Sequence, residues 1–259
     1  SKISFFEFLA PHFAWRGLAT FLSALPTLSA PFGGKIFFQK FLRVLTILIK
    51  FKMDKNTIVI IYNAAHHVLL FKSELIKSLK KNGYRVVVLA STDNYNEKLK
   101  DIVDEFHEIK VDSSGVNPIK DAYLIFQIYS ICKRIKPFAI INFTIKPVIY
   151  GTFAGRLLGG IPVINTITGL GTAFVSTGLA NKVAKFFYKF TFKHSHLVFF
   201  QNPDDQQFFK DLNIISKDNT KLVSGSGVDL VKFKSIKNKK RENIKILFIG
   251  RIIADKGIY

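Results

Sequence analysis

The sequence predicts a doubly wound α/β fold, a parallel sheet covered by helices on both faces. Three observations predict it. Short apolar runs without polar alternation recur from residue 57 onward. Longer segments with apolar residues near helical spacing alternate with them. Glycine, proline and asparagine punctuate the junctions. Strands that are apolar on both faces are strands buried on both faces, and parallel sheets are the usual place for them.

The elements follow in order. Thr57–Tyr62 (TIVIIY) reads as a buried strand. His67–Asn82 reads as a helix on Leu70, Phe71, Leu75, Ile76 and Leu79, closed by Gly83. Tyr84–Ala90 (YRVVVLA) is a second strand, Glu97–Phe106 a helix and His107–Val111 a short strand. Ile119–Ile135 is a helix stopped by Lys136-Pro137. Phe138–Phe143 is a strand, Tyr150–Leu158 a helix ended by Gly159-Gly160, and Pro162–Thr166 a strand. Asn181–Phe192 is a helix, His196–Gln201 a strand, Asp204–Asp211 a helix and Lys221–Ser224 a strand. The alternation describes one Rossmann-like domain over residues 54–233.

The flanks differ. Residues 1–52 hold seven bases and one acid, Glu7, and prolines and a glycine pair break their first part. Within them, 36–51 puts its polar residues at steps of three and four, which fits a helix lying in a membrane interface. A core-packed helix, or a stretch that is never translated, fits as well. Met53 is the only methionine and stands just before the first strand. It is therefore expected to be the initiator, unless 1–52 is a genuine membrane-associating extension. Residues 234–243 (KSIKNKKREN) read as a linker, and 244–249 (IKILFI) as the first strand of a second domain. Such a domain needs on the order of 100–150 residues. The chain is accordingly expected to break off at the start of that second domain.

Composition sets broader limits. Apolar residues make up 48% of the chain, which excludes a disordered protein. Lys and Arg number 38 against 18 Asp and Glu, so the partner is expected to be anionic. One cysteine, Cys132, rules out an intrachain disulfide and a cysteine metal site, fits a reducing cytosol, and reads as a small core residue.

Ligands of open parallel sheets bind beyond the carboxyl ends of the strands. That rule selects the loops Asn63–His67, Thr144–Pro147, Thr166–Thr172, Gln201–Asp205 and Gly225–Asp229. Their binding candidates are Asn63, His66, Lys146, Thr168, Gly169 and Gly171. Each has an ordinary alternative. Gly169-x-Gly171 is also a tight turn, Asn202-Pro203-Asp204 also a helix cap, and most histidines are structural. On the helix after the fifth strand, Lys182, Lys185, Lys189 and Lys193 recur every three or four residues among Phe186, Phe187, Phe190 and Phe192. A basic stripe beside aromatics suits an anionic membrane surface; a solvated lysine face over a Phe-rich core is the alternative. Nucleic acid is the weaker reading, because no recognition motif accompanies the charge.

Residues 141–174 (INFTIKPVIYGTFAGRLLGGIPVINTITGLGTAF) resemble a stretch of glycosyltransferase family 4. Residues 198–209 (VFFQNPDDQQFF), 223–233 (VSGSGVDLVKF) and 246–257 (ILFIGRIIADKG) follow in that family's order. The resemblance covers about 57–259 and nothing in 1–52. It is closest to the subgroup that adds a hexose or N-acetylhexosamine to undecaprenyl-diphosphate-linked sugars. It implies a GT-B architecture of two facing Rossmann-like domains, the first for the acceptor and the second for a UDP-sugar. It also implies retention of configuration, no metal and no other cofactor. By the same resemblance Gly250, Arg251 and Lys256 belong to the donor-diphosphate site, where fixed cations stabilise charge on the leaving UDP. Lys72 matches a basic position that contacts the acceptor diphosphate, unless it is an exposed helix lysine. The family's Glu-x7-Glu element would lie beyond Tyr259, so this chain alone is expected to be inactive. Many relatives carry His-Gly where this chain has Thr168-Gly169, so Thr168 is expected to position a sugar rather than act as a base.

The expected function is transfer of a hexose-type sugar from a UDP-sugar to a polyprenyl-diphosphate-linked saccharide. It would act peripherally on the inner face of the cytoplasmic membrane, in surface-polysaccharide or glycan assembly. A GT-B UDP-sugar epimerase and a non-catalytic membrane- or polyanion-binding module are the rivals.

Overall fold

The computed structural model describes residues 57–112, 117–169, 179–215, 219–230, 233–234 and 246–250. The chain divides after Gly227 into two units. The first carries a seven-stranded sheet in the order β3-β2-β1-β4-β5-β6-β7, every pairing parallel. The strands are β1 (Thr57–Ala64), β2 (Arg85–Ser91), β3 (Glu105–Glu108), β4 (Ala139–Phe143), β5 (Val163–Ile167), β6 (Leu197–Phe200) and β7 (Thr220–Leu222). The helices are α1 (Ala65–Lys81), α2 (Asn96–Lys100), α3 (Pro118–Ile135), α4 (Ile145–Leu157), α5 (Leu179–His194) and α6 (Pro203–Asp211).

Strand alternation sorts the apolar side chains into two layers. On one face Val59, Ile61, Val87, Leu89, Ile140 and Val198 meet α3, α4, α5 and α6 through Leu124, Ile128, Val148, Ala154, Tyr188, Phe192 and Phe209. On the other, Ile58, Ile60, Val86, Val88 and Ile141 meet α1 and α2 through Val68, Leu75, Ile76, Leu79 and Leu99. Cys132 is fully buried in the first layer, as a small core residue, and burial pushes its thiol up to about 12. The Rossmann-like doubly wound sheet expected from the sequence is therefore present.

A polar thread crosses this core. Asn142 Nδ2 donates to Asn165 Oδ1 at 2.9 Å, and Asn165 Nδ2 donates to Thr152 Oγ1 at 2.9 Å and to Ser195 Oγ at 2.7 Å. It ties β4 and β5 to α4 and to the end of α5. Gly151 is glycine for a packing reason, since a methyl group there would overlap the Asn142 amide.

Several boundaries differ from expectation. The helix expected over 97–106 stops at Lys100, and β3 runs over Glu105–Glu108 rather than 107–111. This strand is an edge strand and only partly buried, so its composition is polar and carries no apolar run. α4 starts at Ile145, five residues before the expected Tyr150, with Pro147 inside its first turn, where the missing N–H costs nothing. β7 covers 220–222 rather than 221–224. In the second unit, 246–249 forms no strand, and its side chains are exposed. The expectations for 1–52, 235–245 and 251–259 lie outside the described residues.

Candidate functional site

Because every strand is parallel, the loops singled out by sequence that belong to the first unit leave the same edge of the sheet. The strand order reverses between β1 and β4, and such a switch point opens a crevice at the carboxyl ends. A cavity of about 280 Å³ sits there, lined by Asn63, Val111, Thr144, Ile145, Lys146, Pro147, Thr168 and Gly169. Four predicted residues, Asn63, Lys146, Thr168 and Gly169, thus converge on one space.

The backbone at this point is unusual. Thr144 holds φ at 66°, a left-handed value rare for a β-branched residue. Its hydroxyl donates to Asn63 Oδ1 at 2.8 Å, bridging the ends of β4 and β1. α4 begins immediately after it without a side-chain cap and without an acid in its first turn. Gly169, with φ at 150°, turns the chain away after β5. Strained backbone that survives in a well-packed surround is characteristic of binding sites.

Lys146 reaches the cavity with its charge already matched. Its Nζ lies 2.8 Å from Asp121 Oδ1, both side chains being largely buried. Asp121 also accepts from the Asn117 N–H at 3.3 Å and from the Tyr150 hydroxyl. Burial raises the Tyr150 pKa, and the charge and hydrogen bond of Asp121 raise it further. The cluster pins α3 to α4 beneath the cavity floor.

His66 and Lys72 do not line the cavity. The His66 N–H donates to Asp93 Oδ2 at 2.9 Å, and its ring Nδ1 lies 2.7 Å from the same oxygen. Burial acts to raise the Asp93 pKa, but these bonds and one from the Tyr95 N–H outweigh it and hold the carboxyl below its ordinary value. The Asp93 carboxylate accepts from His66 Nδ1–H, which leaves Nε2 as the ring's other polar atom. His67 packs against this ring at 4.0 Å between centroids, tilted by 49°. Burial and then the His66 charge lower its pKa, Asp93 opposing.

Lys72 is buried, at 5% exposure, where sequence allowed an exposed helix lysine. Its Nζ donates to Ser226 Oγ at 2.8 Å and lies 4.3 Å from the centroid of the Phe143 ring. Burial lowers its pKa to about 8, and no charge partner offsets that burial. Gln201 Nε2 also donates to Ser226 Oγ, at 3.4 Å. Lys72 thereby joins the end of β4 to the loop after β7, which Gln201 of the loop after β6 also reaches.

Lys182, Lys189 and Lys193 are exposed on α5 and Lys185 is half-buried. Gly250 is exposed in the second unit, whereas Gly171, Arg251 and Lys256 lie outside the described residues. Sequence reasoning selected the loop that holds Ser226 but not the residue itself, and it missed Asp93, Asp121 and Phe143, all of which act through tertiary contacts. Asp93 carried a local signal, as part of a Thr-Asp-Asn turn after β2.

Among the described residues, no helix is long and apolar enough to cross a membrane. In sequence, the chain is 24% identical over 205 residues to the N,N'-diacetylbacillosaminyl-diphospho-undecaprenol alpha-1,3-N-acetylgalactosaminyltransferase of Campylobacter jejuni, covering 73% of this chain and 54% of that protein. In structure, a glycosyltransferase from Rickettsia africae aligns with a TM-score of 0.52 at 17% identity, over 70% of this chain and 46% of that one. The UDP-GlcNAc 2-epimerase of Methanocaldococcus jannaschii aligns at 0.50 with 14% identity, over 65% and 45%. These structural likenesses bear on the fold alone, which is that of a GT-B Rossmann-like domain. The chain spans about half the length of the proteins it matches. The family model described as glycosyl transferase 4-like matches residues 58–202, from β1 to the turn before α6, and so takes in the switch-point cavity with every strand around it; the chain belongs to the glycosyl transferase 4-like family.

Proposed function

We propose that the whole protein transfers a hexose or N-acetylhexosamine from a UDP-sugar to a polyprenyl-diphosphate-linked saccharide, and that the half described here holds the acceptor. The observation that carries this reading is the cavity at the β1/β4 switch point, lined by amide, hydroxyl and glycine groups and by the uncapped start of α4. Hydroxyl and amide groups match a saccharide. A bare helix start and the nearby buried Lys72 match a diphosphate. The name of the Campylobacter relative supports the choice of acceptor class.

In this reading Asn63, Thr144 and Thr168 bind sugar hydroxyls, and Gly169 and Gly171 admit the acceptor close to the backbone. His66 offers Nε2, while Lys72 and Lys146 supply cationic character. Gly250, Arg251 and Lys256 hold the diphosphate of the UDP-sugar. Transfer retains the donor configuration, uses no metal, and takes place on the cytoplasmic face of the membrane.

The test is a transfer assay with the protein in its full length, a short-chain prenyl-diphosphate-linked sugar and radiolabelled UDP-sugars. Label is expected in an organic-extractable product that mild acid releases, and a chelator is expected to leave the rate unchanged. A water-soluble epimerised UDP-sugar, formed without the lipid-linked acceptor, overturns the transferase reading in favour of an epimerase.

A further inference from the structure

On one face of the sheet α3, α4 and α5 lie beside α6, which carries Asp204, Asp205 and Asp211. The 47 residues of α3, α4 and α5 hold nine Lys and Arg but a single acid, Asp121, which is buried on Lys146. Lys120 pairs with Asp112 at 2.9 Å. Lys133, Arg134, Arg156, Lys182, Lys185, Lys189 and Lys193 have no ion pair with a carboxylate among the described residues. On the opposite layer, α1 and α2 hold six lysines, of which Lys77, Lys80 and Lys100 are each paired to a carboxylate and Lys72 is buried.

Large apolar side chains stand on this same basic layer. Ile119, Tyr123 and Phe126 of α3 are 83%, 50% and 62% exposed, and their spacing of four and three places them on one helical stripe. Leu157 at the end of α4 and Phe186 among the α5 lysines are 63% and 68% exposed. The core does not need them, since each helix has its own buried row beneath.

We propose that the outer surface of the α3–α4–α5 layer is a docking face for an anionic phospholipid bilayer. Ile119, Tyr123, Phe126 and Phe186 enter the interface, and the unpaired lysines and arginines meet the lipid phosphates. The biological sense of this rests on the membrane-borne acceptor proposed above, but the face itself is testable without any sugar transfer. Charge complementarity selects the occupant. A second copy of a chain with net charge +20 is repelled, as is the basic segment 1–52. Nucleic acid would use the charge, but not an aliphatic and aromatic stripe along one helix. A bilayer surface uses both, and basic residues at an anionic surface each strengthen binding about fivefold.

The experiment is flotation of the 259-residue chain with phosphatidylcholine vesicles and with vesicles containing phosphatidylglycerol. Three variants accompany it: Ile119→Ser/Tyr123→Ser/Phe126→Ser, Lys182→Gln/Lys189→Gln, and Lys77→Gln/Lys100→Gln on the opposite layer. Circular dichroism checks that each folds, which exposed positions favour. Binding to the phosphatidylglycerol vesicles only is expected, weakened at least tenfold by either of the first two variants and unchanged by the third. Equal binding of all four proteins overturns the proposal, as does absence of binding by the parent chain. Tighter binding to duplex DNA that survives loss of the apolar stripe, or dimerisation abolished by that loss, overturns it in favour of the other occupants. If transfer to a short-chain acceptor in detergent fails in the full-length protein while flotation behaves as stated, the transferase reading falls and the docking face stands.

Discussion

Lys72 carries a cost that its neighbours leave unbalanced. Its pKa is lowered from 10.5 to about 8 by burial, with a hydroxyl and an aromatic ring as its partners. The unfolded chain therefore binds more protons than the folded chain between those two values. Stability rises with pH through that window, by about 3 kcal/mol in all. Lys72→Met is expected to raise the urea midpoint at pH 7 and to abolish the rise above pH 8, as read from unfolding curves at stepped pH. Gly151 sets a second residue-scale constraint. Gly151→Ala is expected to cost about 2–3 kcal/mol by pressing on Asn142, and Asn142→Ala in the same chain should recover part of that loss. Neither property was legible in the sequence. A lysine eight residues into an amphipathic helix reads as solvent-exposed, and its partners are Phe143 of β4 and Ser226, 154 residues away.

At the scale of elements, caps and clamps decide the boundaries. The Asn117 side chain accepts from the N–H groups of Ile119 and Lys120, each at 3.1 Å, and starts α3 on the proline that follows. Asn117→Ala is expected to cost about 1 kcal/mol in chemical unfolding. The Lys146–Asp121 pair clamps α3 to α4 under the cavity. Removing either partner leaves a buried charge and is expected to cost about 3 kcal/mol, whereas Lys146→Met/Asp121→Leu should cost much less, as a double-mutant cycle would read. The elements with a strong apolar period or a full apolar run, β1, β2, β4, β5, α1, α3 and α6, were legible to within a few residues. Those set by pairing rather than composition were not. β3 is a polar edge strand recognisable only from its alignment on β2, and the start of α4 was obscured by a proline that the first helical turn accommodates.

For the whole molecule, the parallel sheet and its carboxyl edge followed from the alternation of elements, and with them four of the cavity residues. Their convergence was legible because a single topological rule sends every loop after a strand to one edge. The switch point was not, because it depends on strand order, which periodicity does not carry. Nor were the partners that hold His66, Lys72 and Lys146 in place, since Asp93, Ser226 and Asp121 lie 27, 154 and 25 residues from them. The central claim is that this cavity binds a saccharide carried on a prenyl diphosphate. Its most direct test is calorimetric titration of the chain with a short-chain prenyl-diphosphate-linked N-acetylhexosamine and, separately, with UDP-sugars. The account predicts binding of the prenyl-linked sugar, weakened about tenfold by Thr168→Ala or Asn63→Ala, each worth one or two hydrogen bonds, and no comparable binding of UDP-sugars. Tight binding of a UDP-sugar, or binding of the prenyl-linked sugar that neither substitution alters, would contradict it.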